Sequence, residues 1–213
     1  MNILQNEKIS AYSHGALIPV MAVGAIILAI LAGRNIELQI FLLIYGLSAV
    51  ILFTASFLYH ARKKSQNERS LWRKIDRSAI FVLIAGTSTP MCFLYLNGTV
   101  MWVVLAAQWL VALLAIGFLF FVNAPRKIST LIYLSMGTLC ITPIIKSFNL
   151  IPSIVFALFV AGGISYIAGA IVYAVKKPNL HIGFHEIFHM FVIAGAVCHM
   201  FMIMGGVTIY LQS

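Results

Sequence analysis

The chain has 213 residues, of which 62% are hydrophobic and only 9% are charged, and its formal net charge is +9. Soluble domains are typically about half apolar and about a quarter charged, so this composition excludes an ordinary water-soluble domain and indicates a membrane protein. The cations fall in short segments between apolar runs, where they set the orientation and contact anionic headgroups. Segments this short offer no element that reads a nucleic-acid groove, so we expect membrane lipids as partners and no nucleic acid.

Seven apolar runs follow one another along the chain, and each is long enough to cross a bilayer as a helix, which takes roughly 20 residues. The runs are continuous rather than alternating, which favours helices over a β-barrel. In chain order the predicted spans are 12–32, 38–60, 78–96, 100–122, 128–147, 151–175 and 183–211. Pro90 and Pro143 fall inside spans and are expected to kink them. We therefore predict an all-α membrane protein in which residues 1–213 form a single seven-transmembrane helical bundle.

The distribution of Lys and Arg predicts how this bundle is oriented. The segment 61–77 after the second span carries seven of the fourteen Lys and Arg residues, and the loops after the fourth and sixth spans each carry two more. The alternate loops carry only Arg34 and Lys146. Since short cation-rich loops stay in the cytoplasm, we expect a multi-pass protein of the inner (plasma) membrane with a cytoplasmic N-terminus and an external C-terminus.

A few ionisable residues lie at the ends of the predicted spans, where such groups are costly and usually functional. His60 ends the second span, Asp76 opens the third, and His185 and His189 open the seventh. In a seven-span bundle these span ends all face the cytoplasmic side. Span counting alone therefore places residues that are far apart in sequence at a similar depth in the membrane.

His185 and His189 are four residues apart, so their side chains project from the same face of a helix. Such a pair can hold one metal ion, and a third nitrogen from His60 would give three histidine ligands with one open position, as in catalytic zinc sites. Zinc would lower the pKa of a bound water to about 7 and stabilise charge on a carbonyl oxygen. Asp76 would hydrogen-bond that water and accept its proton. The hydroxyl of Ser56, one turn before His60, would bond the site or the substrate.

Simpler interpretations remain open for each of these residues. The two histidines of the seventh span would then pack against loops at the interface, Asp76 would cap the third helix, and Ser56 would pack between spans. His14, at the edge of the first span, is expected to be interfacial. His199 lies ten residues beyond His189, about 15 Å along the helix, which is too far to share a metal ion but suits a buried hydrogen-bonding group.

The pentapeptide HEIFH at 185–189 also matches the HExxH motif of zinc proteases, in which the glutamate is the general base. Glu186 would carry that role here, although it points about 100° away from His185 on the helix. An intramembrane metalloprotease is therefore a competing hypothesis.

Taken together, the motifs resemble those of the hemolysin III family, bacterial relatives of the progestin and adiponectin receptors. Ser56 and His60 form an SxxxH pattern, Asp76 follows a basic segment, IAGTSTP occupies 84–90, and HEIFHMFVIAGAVCH occupies 185–199. The order, spacing and span position of these motifs agree with the family over nearly the whole chain, from about residue 7 to the C-terminus.

The resemblance implies a seven-span bundle with a zinc ion near its cytoplasmic side. By matching positions, the zinc ligands would be His60, His185 and His189. Asp76 would contact the metal through water, and Ser56 belongs to the same family pattern. In the receptor relatives the residue after the first histidine of the last motif can be Gln, which counts against the protease hypothesis.

The resemblance also implies what the protein does, and it supports more than one class of function. The related receptors are linked to zinc-dependent hydrolysis of lipid amides such as ceramide, which favours a zinc-dependent hydrolase of a lipid amide or ester at the cytoplasmic leaflet. A non-enzymatic sensor or regulator of lipid state, in which zinc is structural, is the main alternative. The family name indicates cytolysis, but the sequence shows no releasable amphipathic segment, so we rank this function lowest.

Overall fold

The computed structural model describes residues 3–65, 68, 70–122, 126–178 and 182–212, excluding the side chains of Asn6 and Arg126. These residues form α-helices joined by short connections, and no strand occurs among them. In chain order the helices are α1 (Lys8–Leu31), α2 (Ile36–Arg62), α3 (Leu71–Tyr95), α4 (Gly98–Phe121), α5 (Arg126–Leu139), α6 (Ile141–Lys146), α7 (Ser153–Val175) and α8 (Phe184–Tyr210). Short 3₁₀ turns at Gln5–Glu7 and Phe148–Leu150 precede α1 and α7.

Seven segments of the described chain are long and apolar enough to cross a membrane. Six are single helices, and the fifth, Lys127–Lys146, consists of most of α5 together with α6. Large apolar side chains such as Ile30 of α1, Leu114 of α4 and Ile164 of α7 are exposed, which suits a surface covered by lipid. The predicted all-α, seven-transmembrane bundle is therefore confirmed, whereas its orientation in the membrane stays a prediction.

Two helices begin at least four residues earlier than their predicted spans. α3 begins at Leu71 instead of residue 78, because Ser70 has an extended backbone and its Oγ accepts a hydrogen bond from the backbone N–H of Arg73. α1 begins at Lys8 instead of residue 12. Hydropathy detects only the part of a helix that lies in lipid, so it missed these polar first turns. Residues of the candidate site lie on or beside them.

The fifth span is interrupted near its C-terminal end. α5 ends at Leu139 and α6 begins at Ile141, two residues before Pro143. A proline lacks the N–H that an α-helix needs, and its ring clashes with the carbonyl four residues earlier, which here belongs to Leu139. The interruption agrees with the predicted kink at Pro143, whereas α3 continues through Pro90 without a break.

α8 brings the helices of the candidate site together. It packs along α7 and also contacts α1 and α3, while α1 packs along α2 and α2 packs along α3. Glycines allow close approach: a Cβ atom on Gly46 of α2 would collide with Ala25 of α1, and one on Gly86 of α3 would collide with Ser48 of α2. α1, α2, α3 and α8 therefore pack closely together. The candidate site forms where α2 ends and where α1, α3 and α8 begin.

Candidate metal centre

The end of α2 and the start of α8 bring three histidines into contact. His60 lies in the last turn of α2, and His185 and His189 lie in the first two turns of α8. One ring nitrogen from each lies within 4.8 Å of the other two. Nε2 of His185 is 3.4 Å from Nε2 of His60 and 3.2 Å from Nε2 of His189. His60 and His189 are buried and His185 is partly exposed, so the cluster is accessible from the His185 side.

The spacing of these nitrogens suits a metal ion. Two nitrogen ligands of a tetrahedral zinc ion, each at about 2.0–2.1 Å from it, lie about 3.3–3.4 Å apart, and the two Nε2–Nε2 distances in the cluster are close to this value. Three imidazole lone pairs that face one another repel unless a cation or a proton lies among them. A donor set of nitrogen alone suits zinc or another transition metal and does not suit magnesium or calcium, which prefer oxygen. The residues therefore fit a transition-metal ion.

The carboxylate of Glu7 contacts the outer side of His60. Glu7 ends the 3₁₀ turn before α1 and is only 4% exposed. Its Oε2 lies 2.6 Å from Nδ1 of His60, and its Oε1 lies 2.6 Å from Nζ of Lys63. Burial alone raises the pKa of Glu7, but the hydrogen bonds and positive charges of His60 and Lys63 outweigh burial and hold this pKa below its usual range. Because Glu7 precedes the first apolar run, hydropathy offered no sign of its role.

His14 of α1 contacts the outer side of His189. Its Nε2 lies 2.7 Å from Nδ1 of His189, and the two rings meet edge to face. His14 is buried against Phe53 of α2, so it is not a surface residue, whereas its predicted position at the membrane interface stays a prediction. In the sequence, Glu7 and His14 are seven residues apart, a spacing that puts two side chains on one side of a helix but does not identify their partners.

Asp76 lies beside the histidine cluster. α3 begins five residues before it and is capped by Ser70, so the interpretation of Asp76 as a helix cap is wrong. The carboxylate is partly buried, and it interacts electrostatically with His60 and Arg77. Among the described residues, the three histidines offer ligand atoms that all lie within 4.8 Å of one another, and Asp76 is not part of this group. This placement suits a carboxylate that acts through a water molecule and not as a direct ligand.

Ser56 lies one turn before His60 on α2 and is 1% exposed. Its hydroxyl lies near the Asp76 carboxylate, but Oγ makes no hydrogen bond of acceptable geometry. A buried hydroxyl without a partner is costly. Its position beside Asp76 and His60 therefore suits contact with a bound water or ligand better than packing alone.

Comparisons with known proteins show which family the chain belongs to. A family model described as Haemolysin-III related matches residues 2–200. The chain belongs to the hemolysin III family. It is 34% identical over 206 residues to Hemolysin-3 of Bacillus cereus, a match that covers 94% of this chain and 91% of the relative. It is 33% identical over 210 residues to the Hemolysin-3 homolog of Bacillus subtilis (strain 168), with 96% and 95% covered. The resemblance inferred from the motifs is thus confirmed.

Two residues of the motif at 185–199 in α8, Glu186 and His199, lie outside the cluster. Glu186 folds back toward the N-terminus of α8, where a Cβ atom on Gly183 would lie 2.8 Å from Glu186 Oε2. Carboxylates are favoured there because the first N–H groups of a helix have no intrahelical partner. His199 stacks on Phe159, and its Nε2 lies 3.4 Å from the Phe159 carbonyl oxygen. The predicted buried hydrogen-bonding role of His199 is therefore confirmed.

Proposed function

We propose that this hemolysin III protein is a zinc-dependent hydrolase that cleaves a lipid amide or ester at the cytoplasmic leaflet of the inner membrane. The observation that carries the proposal is the meeting of His60, His185 and His189 beside Asp76 and Ser56. Three histidines leave a fourth position open for water or substrate. This is typical of catalytic zinc, since structural zinc usually has four protein ligands.

Bound zinc would supply a Lewis acid that polarises the lipid carbonyl and favours attack by water near neutral pH. The surrounding side chains would manage the proton. Asp76 accepts the proton of the attacking water, the carbon–nitrogen or carbon–oxygen bond breaks, and Asp76 returns the proton to the leaving amine or alcohol. The buried hydroxyl of Ser56 would orient either the Asp76 carboxylate or the substrate.

The position of the cluster supports a lipid substrate. His60 lies at the end of one candidate span, and His185 and His189 lie at the start of another, which supports a position near the membrane boundary and not at the midplane. The acyl carbonyls of membrane lipids lie at the same boundary between hydrocarbon and headgroups. The cations of the segment 61–77 favour the cytoplasmic leaflet.

The test compares lipid hydrolysis by purified wild-type protein with that of Asp76→Asn. We expect Asp76→Asn to retain zinc and to hydrolyse a ceramide or an ester lipid about 10²- to 10⁴-fold more slowly, the usual contribution of a general base. Glu37→Gln is the matched control, because it makes the same acid-to-amide change at an exposed residue at the other end of α2. Its turnover should equal that of the wild type. Equal turnover in Asp76→Asn and wild type would contradict the proposal.

A structural metal ion in a non-enzymatic sensor of lipid state is the second candidate. The observation that favours it is that the three histidines join α2 to α8, so a bound ion would stabilise the contact between these two helices. Under this function the wild type would bind zinc and hydrolyse no lipid, and Asp76→Asn would match it in metal content and melting temperature. Cell lysis, which the names of the Bacillus relatives indicate for those proteins, has no comparable observation in its favour.

A further inference from the structure

We propose that α1 and the 3₁₀ turn before it support the metal centre from outside, with Glu7 positioning His60 and His14 positioning His189, each through a hydrogen bond to Nδ1 of the ligand. This inference rests on the metal site of the proposed function but not on lipid hydrolysis. Glu7 and His14 would be positioning residues, because each contacts a ligand ring and neither belongs to the group of nitrogens that face one another.

The 3₁₀ turn before α1 supplies one contact, and the second turn of α1 supplies the other. Oε2 of Glu7 lies 2.6 Å from Nδ1 of His60, and Nε2 of His14 lies 2.7 Å from Nδ1 of His189. All four side chains are buried, so water competes little with these hydrogen bonds. His60 and His189 therefore each direct one ring nitrogen toward the cluster and the other toward α1.

The contact with Glu7 also decides which nitrogen of His60 carries the proton. An ionised carboxylate only accepts hydrogen bonds, so Nδ1 of His60 donates to Glu7 and the neutral ring presents the lone pair of Nε2 to the cluster. For His189, a metal ion held at Nε2 would leave the proton on Nδ1, which would then donate to Nε2 of His14. Partners of this kind hold the ring orientation and raise the basicity of the ligand nitrogen.

Lys63 fixes the position of the carboxylate itself. Its Nζ lies 2.6 Å from Oε1 of Glu7, so each oxygen of Glu7 contacts a different side chain at the C-terminal end of α2. His60 and Lys63 are three residues apart, and they therefore face the same side of the helix end. Glu7 held at two points is less free to turn away from His60 than a carboxylate held by one hydrogen bond.

An ion pair that only joins α1 to α2 would show the same contacts, so the experiment must separate support of the metal site from support of the fold. Three quantities are measured on the purified full-length protein: the affinity for zinc in competition with a chromogenic chelator, the visible absorption of bound Co²⁺, and the melting temperature without metal. The variants are Glu7→Gln and His14→Gln, which keep a polar side chain of comparable length. Glu37→Gln is the matched control for Glu7→Gln.

We expect Glu7→Gln and His14→Gln each to lower zinc affinity about 10- to 100-fold, the usual effect of removing an outer partner of a ligand. The Co²⁺ absorption should change in both, while the metal-free melting temperature and all properties of Glu37→Gln stay close to wild type. Lys63→Gln should lower affinity less, because the contact of Glu7 with His60 remains. If Glu7→Gln does not fold, the zinc affinity and metal-free melting temperature of His14→Gln and Lys63→Gln are compared with those of the wild type instead.

Wild-type zinc affinity in the positioning variants overturns the proposal, as does an affinity loss that is matched by an equal loss of metal-free stability. These outcomes are distinct from failure of the proposed function. A wild type that binds zinc tightly and hydrolyses no lipid contradicts the hydrolase, and the affinities of the variants still decide the role of α1. A wild type that binds no metal overturns both proposals.

Discussion

Two carboxylates lie near the histidine cluster, and their surroundings differ. Asp76 lies beside His60 and Ser56. Glu186 is turned toward Gly183 at the first turn of α8, a position where the helix dipole generally favours a carboxylate. The surroundings of Asp76 suit a proton acceptor in the reaction, and those of Glu186 suit support of the helix terminus. This difference counts against a metalloprotease that uses the glutamate of HEIFH.

We expect Glu186→Gln to keep its metal and most of its lipid-hydrolysing activity, because an amide still reaches the start of α8. The lost charge at the helix terminus should cost about 0.3–1 kcal/mol of stability. Turnover, metal content and thermal unfolding are measured beside Asp76→Asn, which should lose activity at unchanged metal content. Complete loss of activity in Glu186→Gln with metal retained would identify Glu186 as the base, as the protease hypothesis requires.

The cluster of three histidines was predictable from the sequence, and its outer contacts were not. His60, His185 and His189 are conspicuous because ionisable residues are rare in this apolar chain and span counting places all three at one end of the bundle. Glu7 and His14 precede or begin the first apolar run. Their contacts depend on how α1 packs against α2 and α8, and hydropathy holds no information about that packing.

At the scale of helices, α7 and α8 approach each other where α7 has a glycine. Gly162 faces His199, whose ring contacts Phe159 and Tyr166, and a Cβ atom on Gly162 would collide with this ring. The ring has little room to move, since aromatic neighbours and a carbonyl oxygen hold it. Gly163 differs, because a Cβ atom there would meet no heavy atom within 4 Å. Close packing of α7 matters for the site because α8 carries two of the three histidines.

We expect Gly162→Ala to destabilise the protein by about 1–3 kcal/mol, the usual cost of overpacking a tight contact. Gly163→Ala is the matched control, and its stability should stay within about 1 kcal/mol of wild type because alanine favours the helix more than glycine does. Thermal unfolding in the same detergent measures both. Similar melting temperatures for the two variants would show that α7 and α8 tolerate a methyl group at their contact.

Helix existence was easier to predict than helix ends. Each apolar run became a span because lipid leaves the backbone few alternatives to a helix. The starts of α1 and α3 were predicted too late, since their first turns are polar and are set by local features such as the Ser70 cap. The late predicted start of α3 made Asp76 a candidate cap. In the structure α3 begins five residues before Asp76, which therefore lies inside the helix.

At the scale of the whole molecule, the cluster joins parts of the chain that are distant in sequence. His185 follows His60 by 125 residues, and Glu7 adds a contact from the start of the chain. α1, α2 and α8 therefore meet through the histidines and their partners, with α3 and Asp76 beside them. An ion bound at this point would contribute to the stability of the bundle as well as to any reaction.

Removal of metal should therefore destabilise the whole bundle. An ion that binds only the folded state stabilises it by about 2.7 kcal/mol when the free ion is at about 100 times its Kd, so a strong chelator should lower the melting temperature of the wild type and added zinc should restore it. His189→Ala removes one ligand, and its melting temperature should respond to neither treatment. Glu37→Gln, which changes an exposed charge at the other end of α2, should respond as the wild type does. If neither chelator nor zinc changes the melting temperature of the wild type, the result would argue against a metal centre, because three neutral imidazoles facing one another would then be stable without a cation.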